Sequence, residues 1–212
     1  MMDHDARPPI IVAMTGASGA CYGLRLIRVL LDMGHAVDLL LTPASQLVLT
    51  YEHDLHWGGG AAEINCKIQA YFQEPRRLRY FAPDDWQAGC ASGSGQHRQM
   101  VVCPCSMGTL AAIAHGLSNN LLERAADVII KERRQLILVP RETPLSAIHL
   151  QNMLLLSRLG AIILPAAPGF YHRPEHLSQL VDFVVARILD QMGIDHQLLA
   201  RYGAEGTTQY AK

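Results

Sequence analysis

The sequence predicts an α/β fold in which a mostly parallel sheet is covered by helices on both faces. Six apolar runs of strand length recur along the chain, and helical patterns separate most of them. The first run leads directly into a small, glycine-punctuated turn. Parallel strands that are buried on both faces read as continuous apolar runs, and helices usually connect them. The six predicted strands are 10–14, 36–41, 78–81, 100–103, 136–139 and 161–164.

Apolar residues at helical spacing predict the helices. The first follows the glycine turn and ends near Gly34, and others begin near Ala44 and cover 110–114 and 121–130. Residues 89–96 are rich in Gly and Ser and predict a mobile loop. We expect a flexible N-terminus (1–9), a single domain (10–203) and a C-terminal tail (204–212). The apolar positions are Leu24, Ile27, Leu30 and Leu31 in the first helix, Leu154, Leu155 and Leu159 in a later one, and Val181, Val184, Val185, Ile188 and Leu189 in the last.

Composition and charge are typical of an ordinary globular protein. The 212 residues are 50% hydrophobic and 17% charged, which suits one well-buried domain. A formal net charge of −1 provides no basic field for nucleic acid. No apolar run is long enough to span a membrane, and the polar N-terminus has no signal-peptide core. We therefore expect a cytoplasmic protein that binds neither nucleic acid nor a membrane.

The cysteine and histidine patterns favour reduced core thiols over a metal site. Cys103-Pro104-Cys105 has no second pair at zinc spacing. The H-x-x-E-H string at 172–176 contains Pro174, which favours a helix entry, with metal ligation as the second interpretation. The five cysteines are odd in number and lie mostly in apolar surroundings; they are Cys21, Cys66, Cys90, Cys103 and Cys105.

The turn at 15–20 predicts an anion site, because unpaired backbone N–H groups at a helix N-terminus attract negative charge. A nicotinamide site needs G-x-G-x-x-G, but Gly16, Gly19 and Gly23 are spaced differently. It also needs an acid at the end of the next strand, whereas Asp38 lies near that strand's start. A mononucleotide is therefore favoured over a dinucleotide. A plain strand-to-helix turn remains the alternative.

Hydroxyls, small residues and one charged pair follow the other strands, at what should be one edge of the sheet. The segment 106–109 forms a second hydroxyl-bearing helix start, and Thr42 follows the second strand. Arg141 and Glu142 follow the fifth strand, where a guanidinium can hold a phosphate or a flavin carbonyl. Simple helix capping and a surface ion pair remain the alternatives.

Four further side chains could serve a phosphate-bearing substrate. Lys131 would add a cation, although the helix dipole alone favours a basic residue in a last turn. Tyr171 follows a rigid Pro- and Gly-rich loop, and Arg187 lies on the last long helix. Glu52 together with Glu142 could supply the acid and base of one reaction. Loop packing for Tyr171 and solvent exposure for Arg187 and Glu52 remain the alternatives.

Several longer strings resemble one family. The strings that are specific to it are P-R-E-x-P and P-G-F-Y-H, and the similarity runs from about residue 9 to residue 202. On these strings the chain closely resembles the UbiX flavin prenyltransferases. The matching segments are 14–20, 103–106, 124–128, 131–134, 139–144 and 165–172.

The resemblance implies a three-layer Rossmann-like (flavodoxin-like) sandwich that binds FMN. Such enzymes join the dimethylallyl group of dimethylallyl monophosphate to N5 and then C6 of reduced FMN and release phosphate without a metal. The product, prenylated FMN, serves UbiD-type decarboxylases in ubiquinone biosynthesis or aromatic acid decarboxylation. The family assembles as homododecamers with active sites between subunits.

The resemblance also assigns roles to residues of this sequence. It implies a dimethylallyl phosphate clamp of Lys131, Tyr171 and Arg187, with Arg124 as a contact from a neighbouring subunit. Glu142 would assist departure of the phosphate, and Glu52 with Ser18 would act near the flavin ring. The implied FMN contacts are Gly16, Ala17, Ser18, Thr42, Ser106, Met107, Gly108, Thr109 and Arg141.

Three departures and two rival functions accompany the resemblance. Thr42-Pro43 stands where many relatives have Ser-Lys, Met107 replaces a common Thr, and Tyr202 falls where several have Trp. One rival is a flavin-dependent decarboxylase of peptidyl- or pantothenoyl-cysteine, which shares the P-x-S turn at 104–106 but has a P-x-M-N loop where this chain has P-R-E. The other is a flavin-binding subunit without catalysis of its own.

Overall fold

A computed structural model describes residues 7–199 of the chain. These residues divide into two compact units, with the boundary between Ala166 and Ala167. All six strands and six helices lie in the first unit, and the last helix lies in the second. The elements are β1 (Ile10–Met14), α1 (Ala20–Asp32), β2 (Val37–Leu41), α2 (Pro43–His53), α3 (Ala61–Phe72), β3 (Leu78–Phe81), β4 (Gln99–Cys105), α4 (Met107–Ala114), α5 (Leu121–Lys131), β5 (Gln135–Pro140), α6 (Ala147–Arg158), β6 (Ile162–Ile163) and α7 (Leu177–Met192).

The six strands form one parallel sheet in the order β3-β2-β1-β4-β5-β6, which confirms the predicted parallel α/β fold. Ile11 is the partner of Asp38 on one side and of Met100 on the other. The strand order reverses between β1 and β4. In open sheets of this kind, ligands bind in the crevice beyond the carboxyl ends of the strands at such a reversal.

The predicted strands agree with the observed ones to within about two residues. Every residue of β1, β2 and, after Gln99, β4 is buried, as expected for strands that are covered on both faces. The edge strand β6 is shorter than predicted and only half-buried. The interior of the sheet is therefore more completely buried than its β6 edge.

One charged group lies inside the sheet. Asp38 is 1% exposed and accepts hydrogen bonds from Nε and Nη2 of Arg79, both at 2.9 Å. It also pairs with Nε2 of His97 at 2.7 Å. These partners compensate the buried charge. Asp38 is thus an internal ion-pair residue rather than a ribose ligand, in agreement with its position at the start of its strand.

The predicted helices agree with the structure except for the apolar stripe of α6, and α3 was not predicted. The apolar stripe of α1 is buried as expected, and in α7 the residues 184–186, 188 and 189 are buried while Val181 is half-buried. On α6, Asn152 and Leu156 are buried, whereas Leu154 is 51% exposed and Leu155 and Leu159 are also exposed. The short edge strand beneath α6 gives this helix little surface to cover.

The cysteines differ partly from the predicted set of core thiols. Cys90, Cys103 and Cys105 are buried, and burial raises the pKa of the Cys90 and Cys105 thiols to about 12. Cys21 is half-buried and Cys66 is exposed on α3. The prediction of a core position is therefore wrong for Cys66.

The Gly- and Ser-rich loop at 89–96, which the sequence predicts to be mobile, is hydrogen-bonded to one residue on α5 and to one just after it. It begins with a short 3-10 turn, Gly89–Ala91. Arg124 Nε donates to the carbonyl of Ala91 at 3.0 Å, and Arg134 Nη2 donates to that of Gly93 at 2.6 Å. Charged donors to carbonyls make these stronger than average hydrogen bonds.

Candidate functional site

A buried threonine joins the two turns that follow β1 and β4. The hydroxyl of Thr15 donates to the carbonyl of Pro104 at 2.9 Å and accepts from the N–H of Ser106 at 2.7 Å. Thr15 is 1% exposed, and its bond to Pro104 is buried while its bond from Ser106 is partly buried. The glycine turn and the 106–109 turn are therefore one rigid structure at the reversal of the strand order. Thr15 was not among the predicted site residues.

A carboxylate from α2 occupies the N-terminus of α1. Both oxygens of Glu52 accept from the N–H of Gly19 at 3.0 Å, and Oε2 accepts from the N–H of Ala20 at 2.9 Å. Gly19 has φ 101°, which turns its N–H toward the carboxylate and favours glycine at this position. The sequence predicts an anion here, and in the structure that anion belongs to the chain itself.

Hydrogen bonding keeps Glu52 ionised. Burial raises its pKa, but bonds from the Ser18 hydroxyl and from the N–H groups of Ala20 and Gly19, with the nearby His53, outweigh burial and lower the pKa overall. Ser18 and Glu52 are thus in direct contact. The pair presents an ionised carboxylate and a hydroxyl beside the glycine turn.

The N-terminus of α4 is open where that of α1 is filled. Ser106 caps it by accepting from the N–H of Thr109 at 3.3 Å, and the two hydroxyls lie 3.1 Å apart. A Cβ added at Gly108 would meet nothing within 4 Å, so there is space beside the backbone of this turn. The side chain of Met107 packs into the core. This turn fits a phosphate group.

The start of α2 packs against the glycine turn. The side chain of Thr42 caps α2 by accepting from the N–H of Ser45 at 3.1 Å, and its own N–H donates to the carbonyl of Met14 at 3.2 Å. A Cβ at Gly16 would lie 2.5 Å from Cβ of Ala44, so only glycine fits. A cavity of about 110 Å³ adjoins Thr42 at the ends of β2 and β3, lined mostly by apolar residues that include Leu41, Phe81 and Leu121.

Arg141 links the end of β5 to the same edge. Its Nε donates to the carbonyl of Ser18 at 3.0 Å, and its backbone N–H donates to the carbonyl of Cys105 at 3.3 Å. The neighbouring carboxylate of Glu142 is exposed and accepts from the N–H of Thr143 at 3.1 Å. The predicted FMN residues from β1, β2, β4 and β5 therefore lie along one edge of the sheet.

Lys131 lies at the opposite edge. It ends α5 four residues before β5 begins, and the first N–H of β5 pairs with the carbonyl of Arg98, which precedes β4. The six residues of β5 span about 17–20 Å, so Lys131 of one chain does not join that chain's Ser106 turn. Lys131 forms an ion pair with Glu132, and Arg124 pairs with Asp127 at 2.7 Å.

The second unit holds Tyr171 and Arg187. Tyr171 is exposed and packs edge-on against the rings of His172 and Phe183, at centroid distances of 5.7 and 5.8 Å. Arg187 projects from α7 and pairs with Asp190 at 2.6 Å. Tyr202 lies outside the described residues.

The H-x-x-E-H string is confirmed as a helix entry, although Pro174 lies three residues before the first turn of α7 rather than within it. His176 is the N-cap residue of that helix. Across residues 7–199, no three His, Cys, Asp or Glu side chains are grouped so that they could hold a metal ion. Over the same residues, no helix has the length and apolar character that a membrane span requires.

Comparison with known proteins identifies the family of this chain. The sequence model of the Flavoprotein family matches residues 2–189. Flavin prenyltransferase UbiX of Pseudomonas aeruginosa is 52% identical over 197 residues, covering 92% of this chain and 94% of that relative. The chain belongs to the Flavoprotein family, in its UbiX branch. The UbiX flavin prenyltransferase of Methanocaldococcus jannaschii is 43% identical and covers 92% of this chain and 98% of its own length.

Solved structures place the UbiX branch in the same fold. AnUbiX (PadA1), crystallised with FMN and dimethylallyl pyrophosphate, matches with a TM-score of 0.83 and 37% identity over 93% of this chain and 98% of that one. A dodecameric FMN-dependent UbiX-like decarboxylase from Escherichia coli O157:H7 matches with a TM-score of 0.80 and 39% identity over 92% and 100%. The peptidyl-cysteine decarboxylase EpiD, at 16% identity, shares only the fold.

Proposed function

We propose that this chain is a flavin prenyltransferase. It transfers the dimethylallyl group of dimethylallyl monophosphate to N5 and C6 of reduced FMN, and the prenylated FMN serves a UbiD-type decarboxylase in the cytoplasm. The observation that carries the proposal is the open α4 turn, tied by Thr15 to a glycine turn that presents Ser18 and an ionised Glu52. The relatives of the UbiX branch support the same reaction.

The residues at the carboxyl edge fit FMN. The Ser106–Thr109 turn would hold its phosphate with backbone N–H groups and two hydroxyls, next to Thr42. Residues 16–18 and Arg141 would lie against the flavin, whose reduced ring supplies the nucleophilic N5 and C6 atoms. Because Arg141 already donates to the Ser18 carbonyl, its guanidinium is held at this edge before FMN binds.

Two carboxylates supply the proton transfers. Glu52 is ionised and hydrogen-bonded to Ser18, so it can accept, through that hydroxyl, the proton that the acceptor atom loses on alkylation. Glu142 is exposed after β5 and is proposed as the acid that assists departure of the phosphate. The bond between the prenyl carbon and the phosphate oxygen breaks as the bond to N5 forms. C6 then adds to one carbon of the prenyl double bond, and the other carbon of that double bond takes up a proton in place of the one that C6 loses.

Two cations and a phenol hydroxyl take the place of a metal in the proposed reaction. Lys131, Tyr171 and Arg187 bind the prenyl phosphate and stabilise the charge that develops as its carbon–oxygen bond breaks. Since Lys131 lies at the amino edge of its own sheet, we propose that it and Arg124 act on the site of a neighbouring subunit. The active site is then complete only in an oligomer.

An exposed apolar face supports assembly. On and beside α6, Ile148 is 67% exposed, Leu150 53% and Leu154 51%. Monomeric proteins rarely leave such a patch in water. We propose that subunits pack through this face in a homododecamer, the assembly that is described for the Escherichia coli relative.

The reaction is tested by mass spectrometry of the flavin released after anaerobic incubation with reduced FMN. Separate samples receive dimethylallyl monophosphate and the diphosphate, because the AnUbiX complex holds the latter. A protein-dependent gain of one five-carbon unit establishes the transferase. Unmodified FMN in both samples would leave a decarboxylase or an inert flavin-binding subunit.

Co-expression of two inactive variants tests the shared site. Lys131→Ala and Glu142→Ala each disable one contribution to the reaction. If the two residues come from different chains, a random 1:1 mixture restores about one site in four, half times half. If they come from one chain, every site keeps a defect and the mixture stays inactive. Each variant alone and retained FMN absorbance serve as controls.

A further inference from the structure

Arg187 is one end of a three-residue chain of hydrogen bonds within the second unit. Its Nη1 donates to Oδ2 of Asp190 at 2.6 Å, and the other oxygen, Oδ1, lies 3.1 Å from Nε2 of His196. The opposite ring nitrogen of His196, Nδ1, accepts from the N–H of Leu198 at 3.3 Å. Because Nδ1 is an acceptor, Nε2 carries the proton and donates to Asp190.

The turn at Gly193 makes this chain of bonds possible. Gly193 has φ 69°, its N–H donates to the carbonyl of Asp190 at 3.1 Å, and the N–H of Ile194 donates to that of Leu189 at 3.0 Å. These two bonds end α7 with a left-handed glycine and reverse the chain. The segment after α7 therefore returns His196 to the side of Asp190.

An exposed ion pair three residues apart on a helix is worth little by itself, because two long side chains must be ordered to make it. Here the carboxylate has a second, rigid partner. The side chain of His196 is only 8% exposed, whereas those of Asp190 and Arg187 are 40% and 51% exposed. The buried imidazole fixes the rotamer of Asp190, and Asp190 in turn fixes one edge of the guanidinium.

We propose that Asp190 and His196 are positioning residues for the phosphate-binding arginine, Arg187. The bond to Asp190 uses Nη1 and leaves the other edge of the planar guanidinium to meet two phosphate oxygens. The arginine is then ordered before the substrate arrives, which lowers the entropy cost of binding. This inference rests on the proposed function, in which Arg187 binds the prenyl phosphate.

The test measures prenyl transfer against the concentration of dimethylallyl monophosphate for Asp190→Ala, Arg187→Ala and the double variant. We expect Asp190→Ala to raise KM about tenfold with a smaller change in kcat, and to add nothing in the Arg187→Ala background. His196→Phe keeps a ring at this position without the bond and should raise KM less, in the same direction. Glu175→Gln, which changes an exposed carboxylate of the same unit, should match the wild type.

The outcomes separate the two proposals. Losses that add in the double variant, or an unchanged KM for Asp190→Ala and His196→Phe, overturn the positioning role. An unchanged KM for Arg187→Ala also overturns it, because Arg187 then does not bind the phosphate, whereas the absence of prenylated flavin from the wild type refutes the proposed function instead. Retained FMN and an unchanged melting temperature identify variants that fold. If Asp190→Ala loses FMN and melts at a lower temperature, the KM of His196→Phe decides the positioning role.

Discussion

The contact between Thr15 and the β4 turn makes a sharp prediction about Thr15→Val. Valine has nearly the same shape as threonine but no hydroxyl. The substitution leaves the N–H of Ser106 without its acceptor at 2.7 Å, which costs about 1–3 kcal/mol. It also removes the 2.9 Å bond to Pro104, for about 1 kcal/mol, although that carbonyl keeps the backbone N–H of Thr15 at 3.2 Å. We expect a total loss of about 2–4 kcal/mol.

Urea denaturation of the FMN-free protein measures this loss, at one protein concentration because assembly contributes to stability. FMN titration should show affinity falling by at least about tenfold, since the two turns are no longer tied. The control is Thr15→Ser, which keeps the hydroxyl and loses one methyl group, for about 1 kcal/mol. The reasoning would be refuted if the free energy of unfolding of Thr15→Val lay within about 1 kcal/mol of the wild type and its FMN affinity were normal. It would also be refuted if Thr15→Ser lost as much stability as Thr15→Val.

Three further predictions follow from single contacts. Glu52→Gln removes the charge at the α1 N-terminus. Because folding lowers the pKa of Glu52, this charge contributes fully to stability above about pH 4.5. Its contribution is lost as the pH falls through the pKa of the folded state. Denaturation should therefore show a deficit of about 0.3–1 kcal/mol at pH 7 that shrinks as the pH falls below about 4.5, and a deficit that does not change with pH would contradict the assignment. Gly108→Ala adds a methyl group where no other atom lies within 4 Å, so the melting temperature should stay the same or rise. The affinity for FMN should fall about tenfold because the methyl group occupies the space of the phosphate. An unchanged affinity would show that the phosphate does not bind beside Gly108. Because Cys66 is exposed, iodoacetamide should alkylate it well before Cys90 and Cys105. Peptide mass spectrometry measures the three rates, and equal rates would contradict the prediction.

The sequence predicts the sheet and its functional edge well because both follow from local patterns. Buried parallel strands appear as apolar runs, and the carboxyl ends of such strands must meet at one edge. The sequence alone therefore predicts that Arg141 and the Ser106 turn lie at the same edge, and their contacts in the structure agree. Short range explains this success, since each residue directly follows its own strand.

Long-range pairing explains what the sequence did not reveal. The carboxylate of Glu52 reaches a helix N-terminus that is 32 and 33 residues away in the chain, and Thr15 contacts residues 89 and 91 positions later. Contacts between residues so far apart along the chain produce no periodic pattern in the sequence. The exposed leucines of α6 were likewise unpredictable, because an amphipathic stripe does not say whether a sheet or another subunit covers it.

The position of Lys131 could have been deduced from topology. A helix that leads into a parallel strand must end near the amino edge of the sheet, which is the edge away from the site. Lys131 ends α5 directly before β5, so its own chain could never bring it to the Ser106 turn without a second subunit. The way the helix connects two parallel strands, rather than the residue type, predicts that Lys131 lies at the amino edge of the sheet.

The two helix N-termini at the strand reversal explain where a phosphate should bind. Each attracts an anion, but the N–H groups of Gly19 and Ala20 already receive the ionised carboxylate of Glu52 at 2.9–3.0 Å. A phosphate there would have to displace a carboxylate and would meet its negative charge. The α4 turn has capping hydroxyls, open space at Gly108 and no carboxylate among its hydrogen bonds to residues 7–199. The carboxylate thus directs the phosphate to α4 and leaves the glycine turn, with Ser18 and Glu52 beside it, for the part of the ligand that reacts.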